Sequence, residues 1–100
     1  MLEIDKDGHR QWINSKGQTH RDKGPAIEYN NGHKAWYKNG LFHRDNGSAI
    51  DLGNGTRYWY INGNRHRLSG PAIEWADGER EFWIEGKRYT EEEFKDYMRS

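Results

Sequence analysis

The chain has 100 residues, of which 32% are hydrophobic and 14% aromatic, and its 16 basic residues balance 16 acidic ones. A single domain of this length is near the size at which one core is marginal, so rings that each contribute about 1.5–3 kcal/mol when fully buried must stand in for scarce aliphatic side chains. Zero net charge gives no overall attraction for duplex nucleic acid, and the absence of cysteine excludes disulfides and thiolate metal sites. At the N-terminus, Met1 to Asp7 lacks the basic and apolar blocks of a signal peptide, and no apolar run approaches the roughly 20 residues of a membrane span. A cytoplasmic protein with no membrane partner is the expectation. Within residues 1–7, Leu2 and Ile4 read as a half-unit strand.

Residues 8–89 repeat. His20, His43 and His66 stand 23 residues apart, with Tyr89 in the fourth place. Gly17, Gly40, Gly63 and Gly86 keep that interval, as do Gly24, Gly47 and Gly70. Only the first unit slips, carrying one extra residue between Trp12 and Gly17, which reads as a bulge or a longer turn. Within a unit the pattern has period two and is bounded by Gly and Asn, so the segments are strands. The expected fold is an all-β repeat, an antiparallel β-hairpin array of about 3.5 units.

The turns set a register. Lys38-Asn39-Gly40-Leu41 and Ile61-Asn62-Gly63-Asn64 carry the two-residue hairpin signal, while the loops ending in Gly32, Gly55 and Gly78 fit three residues with Gly in the left-handed region. These lengths place Glu28 opposite Lys34, Asp51 opposite Arg57 and Glu74 opposite Arg80, where opposite charges are favourable. They also place Trp36 opposite His43, Trp59 opposite His66 and Phe82 opposite Tyr89. One face then carries Ile27, Tyr29, Ala35, Tyr37, Phe42, Ile50, Tyr58, Tyr60, Ile73, Trp75 and Trp83, the expected core. The other, expected to be wetter, carries Ala26, Ala49, Ala72, the charge pairs and the Trp–His pairs, its small alanines leaving room for the indoles. Its stripe of Trp12, Trp36, Trp59 and Phe82 is either an exposed stacking platform or, the favoured alternative, a second core layer.

Residues 90–99 differ. Thr90-Glu91-Glu92-Glu93 is a capping box with acids at the positive end of a helix, and Phe94, Tyr97 and Met98 share one apolar face. A short helix that caps the end of the repeat core is expected. Residues 1–100 thus read as one domain.

The unit Gly-x-x-x-Trp-Tyr-x-Asn-Gly-x-x-His-Arg-x-x-Gly-Pro-Ala-Ile resembles the divergent MORN-like repeats of bacterial, phage and large-virus proteins. The closing Gly86-Lys87-Arg88-Tyr89-Thr90-Glu91-Glu92-Glu93-Phe94 is also similar to the terminus of that group. The resemblance implies a hairpin array used for binding, with no catalytic residue or cofactor, in a small accessory or host-defence-modulating protein. The better-known MORN repeats are associated with membrane lipids, but this chain lacks their Tyr-x-Gly-x-x-x-x-Gly spacing.

Two kinds of partner follow. The first is a host protein, recognised by a non-enzymatic module through a sheet face or edge. The second is an anionic, nucleotide-like signalling molecule, sequestered by Trp stacking and Arg. The residues for either are Trp36 and Trp59 with Lys34, Arg57 and Arg80 beside them, and the pairs His43–Arg44 and His66–Arg67, because rings plus planar cations supply stacking and charge together. The structural alternative is that Arg braces an acid while His packs on Trp and bonds a loop carbonyl, and recurrence in every unit favours it. One His per unit is too sparse for a shared tetrahedral metal site. There is no Gly-x-Ser-x-Gly elbow and no Gly-rich phosphate loop before a helix, so no enzyme is expected. Free sheet edges make self-association a further expectation.

Overall fold

Asn-Gly and x-x-Gly turns fold the chain back on itself every few residues. The computed structural model, which describes residues 1–99, is accordingly an array of antiparallel hairpins with one C-terminal helix. The strands are Leu2–Ile4 (β1), Arg10–Trp12 (β2), Ile27–Glu28 (β3), Lys34–Ala35 (β4), Tyr37–Lys38 (β5), Leu41–Phe42 (β6) and Ile50–Asp51 (β7). They continue as Arg57–Tyr58 (β8), Tyr60–Ile61 (β9), Asn64–Arg65 (β10), Ile73–Glu74 (β11), Arg80–Ile84 (β12) and Lys87–Tyr89 (β13), before the helix Glu91–Arg99 (α1). One nine-stranded sheet runs β1-β2-β3-β4-β7-β8-β11-β12-β13, and β5–β6 and β9–β10 form separate two-stranded hairpins. The molecule measures 46 × 30 × 18 Å, so it is long and thin.

The register is the one the turn lengths require. Glu28 lies opposite Lys34, Asp51 opposite Arg57, Glu74 opposite Arg80, and Phe82 opposite Tyr89. Neighbouring hairpins then join these pairs into one row of alternating sign, Arg10, Glu28, Lys34, Asp51, Arg57, Glu74 and Arg80. Each cation in the interior of that row has an acid on both sides, the arrangement that favours pairing over slippage.

The strands are short because each tryptophan switches ladders. The Trp36 N–H donates to the Ala49 carbonyl (2.6 Å) in the large sheet, while the Trp36 carbonyl accepts from the His43 N–H (3.0 Å) in the small hairpin. Trp12 does the same with Ala26 and His20, and Trp59 with Ala72 and His66. In the last unit β12 runs on unbroken through Phe82. The turns that follow have φ of 50° and 84° at Asn39-Gly40 and 49° and 82° at Asn62-Gly63, the left-handed pair that Asn-Gly favours. Glu85-Gly86 adopts the same shape with a residue poorly suited to it.

Burial differs from the sequence expectation. Ala26, Ala49 and Ala72 are all 0% exposed, yet they lie on the face expected to be wet. Continuing the strand registers by one residue explains this. Ala26 falls between Trp12 and Trp36, Ala49 between Trp36 and Trp59, and Ala72 between Trp59 and Phe82. A row of wide rings alternating with methyl groups seals the methyls. On the opposite face Ile73 and Ala35 are buried, but Tyr37, Phe42 and Tyr60, stacked at ring separations of 4.5 and 5.1 Å, remain half-buried.

The helix closes one end. Phe94 packs on Phe82 (ring centroids 4.8 Å apart) beside Ile84 and Tyr89, and Arg80 pairs with Glu91 at 3.2 Å. Tyr97 and Met98 stay about half exposed, at 47% each, with Tyr97 meeting the Tyr89 ring edge-on. The other end has no such cover: β1 is an edge strand, and its Leu2 and Ile4 are 46% and 62% exposed. No helix among the described residues is long and apolar enough to cross a membrane.

The capping box is formed in both directions. The Thr90 N–H donates to Glu93 Oε1 (2.8 Å) and the Glu93 N–H donates to Thr90 Oγ1 (3.1 Å). The Thr90 N–H, helped by the Thr90 side chain, holds the Glu93 carboxyl below its ordinary value. A carboxyl lowered in the folded state contributes stability at pH above its unfolded value and loses it as pH falls through the folded one. The helical circular-dichroism signal is therefore expected to decline on acidification below the usual glutamate range. Glu93→Gln, which keeps an acceptor without titrating, should remove part of that decline.

Candidate functional site

The face that carries Trp12, Trp36 and Trp59 is built from one device used three times. In each unit the arginine after the histidine lies over the indole, and Arg21 on Trp12, Arg44 on Trp36 and Arg67 on Trp59 all place Cζ 3.8 Å from the ring centroid. Each guanidinium then donates through Nη1 to a carbonyl four residues on, that of Pro25, Ser48 or Pro71, at 3.1–3.2 Å. Arg21 and Arg67 also lie 3.6 and 3.7 Å from Glu28 and Glu74. In the middle unit Asp51 draws on Arg44 electrostatically, and burial, the larger influence, lowers the Arg44 guanidinium from its ordinary value. Cation–π contact, carbonyl bond and acid together fix the fork in place.

This device explains a glycine. A Cβ on Gly47 would stand 3.1 Å from both Cζ and Nη1 of Arg44, and Gly24 and Gly70 face Arg21 and Arg67 in the same way. The third glycine of the unit is thus a seat for the guanidinium as well as a turn residue. Its companion is the buried alanine between neighbouring tryptophans. Neither role is visible in the periodicity, which shows only that both residues recur.

The histidines tie one unit to the next. His20 Nδ1 accepts the Asn39 N–H, His43 Nδ1 the Asn62 N–H and His66 Nδ1 the Glu85 N–H, each at 3.0 Å. An Nδ1 that accepts leaves the proton on Nε2. That proton is donated to Asp22 in the first unit (2.9 Å) and to Asp45 in the second (2.8 Å). The sequence suggested imidazole packed on indole with a bond to a loop carbonyl. Instead the guanidinium takes the ring face, because a flat delocalised cation matches it, and the imidazole takes a loop N–H. In the third unit the aspartate position is Leu68, and no acceptor among the described residues reaches His66 Nε2.

Beside each of Trp12, Trp36 and Trp59 lies a groove, and the second and third run between a His-Arg loop and the hairpin that follows it. The first, about 520 Å³, runs beside Trp12 and Met1. The second, about 430 Å³, lies at Trp36 between Arg21 and Arg44. The third, about 610 Å³, lies at Trp59 between Arg44 and Arg67, with Ile61 and Leu68 in its wall. The structure thus brings Trp36, Trp59, His43, His66, Arg44 and Arg67 into one row of grooves. Lys34, Arg57 and Arg80 stand apart from them in the charge row; Lys34 and Arg57 are exposed and form no ion pair among the described residues, whereas Arg80 is held by Glu91.

Asp22, Asp45 and Leu68 were not singled out from sequence, although the break from Asp to Leu at one fixed place in the repeat is a readable signal. Nor was the cluster of Asp5, Asp7 and His9, whose ligand-type atoms lie within 4.8 Å of one another. It is a turn held by its own bonds: Asp5 Oδ1 accepts the Asp7 and His9 N–H groups, and His9 Nδ1 accepts the Asn30 N–H. Chemically, the row of grooves offers filled indole faces, engaged guanidinium groups and two histidines with both nitrogens bonded. Comparison of the chain with protein-family models, with curated proteins and with solved structures gives no match.

Proposed function

We propose that the protein is a non-enzymatic binding module that engages another protein through the tryptophan face of its sheet. One observation carries this reading: one face of each of Trp12, Trp36 and Trp59 is already covered by the chain's own arginine. A base would have to evict a guanidinium to stack there, and a phosphate would have to draw the same fork away from a carbonyl and an acid. What the face does offer is a periodic relief of grooves and, apart from them in the charge row, exposed cations such as Lys34 and Arg57. Such a surface suits a macromolecular partner better than a small anion. The resemblance of the unit to MORN-like repeats of bacterial and phage proteins agrees with this reading and extends it to a cytoplasmic, host-defence-modulating role.

The test sets the two partner classes side by side. A nucleotide present at 100 times its dissociation constant would stabilise the fold by about 2.7 kcal/mol. Thermal-shift measurements with cyclic and linear nucleotides are expected to show no such change. Co-purification from host lysate is expected to yield one stoichiometric protein that Lys34→Gln combined with Arg57→Gln releases. A clear shift with a nucleotide, and no protein partner, would replace this reading with the sequestering one.

A further inference from the structure

We infer that the groove at Trp59 is where the partner docks, and that its occupant is an extended peptide segment presenting an aliphatic side chain beside an oxygen acceptor. The inference rests on the binding reading above and locates it. Its basis is a place where the repeat departs from itself on this face. In the first two units the histidine Nε2–H is satisfied internally by Asp22 or Asp45. In the third, Leu68 occupies that position, 46% exposed, and the His66 Nε2–H has no acceptor among the described residues. Because no buried side-chain nitrogen or oxygen among the described residues lacks a partner, this donor opens onto solvent. Its tautomer is fixed all the same, since Nδ1 is held by the Glu85 N–H.

The walls change with it. Where the groove at Trp36 presents Lys38 and Asp45, the groove at Trp59 presents Ile61 and Leu68 at the matching places of the repeat, with Asp45 in its wall where the Trp36 groove has Asp22. Two aliphatic groups and one fixed, vacant N–H in a groove of about 610 Å³ complement a short stretch of backbone. The aliphatic side chain of the occupant lies against Ile61 and Leu68, and its neighbouring oxygen stands where the Asp22 and Asp45 carboxylates stand in the other units. Apolar anchoring with one oriented hydrogen bond is how grooves read extended peptides. The first two grooves are closed to the same occupant because each has already satisfied its own donor.

Leu68→Asp tests this without threatening the fold, since it restores the residue type that two of the three units already carry. Random dodecapeptides displayed on phage are selected on the immobilised chain, and enriched sequences are synthesised and titrated against wild type and Leu68→Asp. The enriched peptides should share an aliphatic residue and should shift the His66 Nε2–H and Leu68 methyl resonances. They should bind Leu68→Asp roughly tenfold or more weakly, while the melting temperature of that variant is no lower than wild type. Leu68→Ile should retain binding. Peptides that bind wild type and Leu68→Asp within about twofold overturn the groove and leave the binding module standing. A selection that enriches nothing overturns both.

Discussion

Ala49→Leu is expected to lower the melting temperature by on the order of 10–20 °C, equivalent to about 2–3 kcal/mol in a domain of this length. The methyl group of Ala49 is 0% exposed, and its place in the register is between the indoles of Trp36 and Trp59. The backbone cannot retreat to make room. The Ala49 N–H is bonded to the Tyr58 carbonyl (2.8 Å) and its own carbonyl accepts from Trp36 (2.6 Å). Three extra carbons must therefore push an indole, and with it the guanidinium that the indole carries. Ala49→Gly, which leaves the rings in place, should fall within about 1 kcal/mol. Urea unfolding monitored by tryptophan fluorescence separates the two. A leucine variant as stable as wild type would mean that the row is loosely packed.

That row marks the boundary between what the sequence discloses and what it hides. Turns and register were legible because a period of two and a fixed loop length leave few ways to pair Glu28 with Lys34 or Phe82 with Tyr89. The helix was legible because Thr90 and Glu93 stand at capping-box spacing. Which face would exclude water more fully was not, because that depends on a guanidinium folding back over an indole eight or nine residues earlier in the chain. Small residues on a face with many charges read as a wet surface until the flat cations are seen to act as lids. The site suffered from the motif itself. Written as His-Arg-x-x-Gly, it discards the position where Asp22, Asp45 and Leu68 differ. Recurrence identified the scaffold correctly as a hairpin array, but this exception required the bonds of the two regular units to be seen first.

Gly40→Val is expected to cost about 2–4 kcal/mol, and the cause is conformational rather than steric. A Cβ at Gly40 would find its nearest neighbour, Gln18 Cβ, at 3.7 Å, which is ordinary contact. The backbone there has φ of 84°, however, a region that a β-branched residue avoids. A turn forced out of this shape also loses its hold on the preceding unit, because Asn39 donates to His20 Nδ1 (3.0 Å) and Gly40 to the Thr19 carbonyl (2.8 Å). Gly40→Asn, which tolerates the left-handed region, should therefore retain most of the stability by chemical denaturation. Arg44→Ala is the informative comparison. It removes the cation–π contact with Trp36 and one bond to the Ser48 carbonyl, together about 1–2 kcal/mol. If Arg44→Ala proves the more damaging, the lids hold the array together more than the turns do. If Gly40→Asn is as damaging as Gly40→Val, the turn is limited by space after all. The expected order, valine at Gly40 worst and asparagine there mildest, follows from a fold in which each hairpin tip is docked through its backbone onto the unit before it.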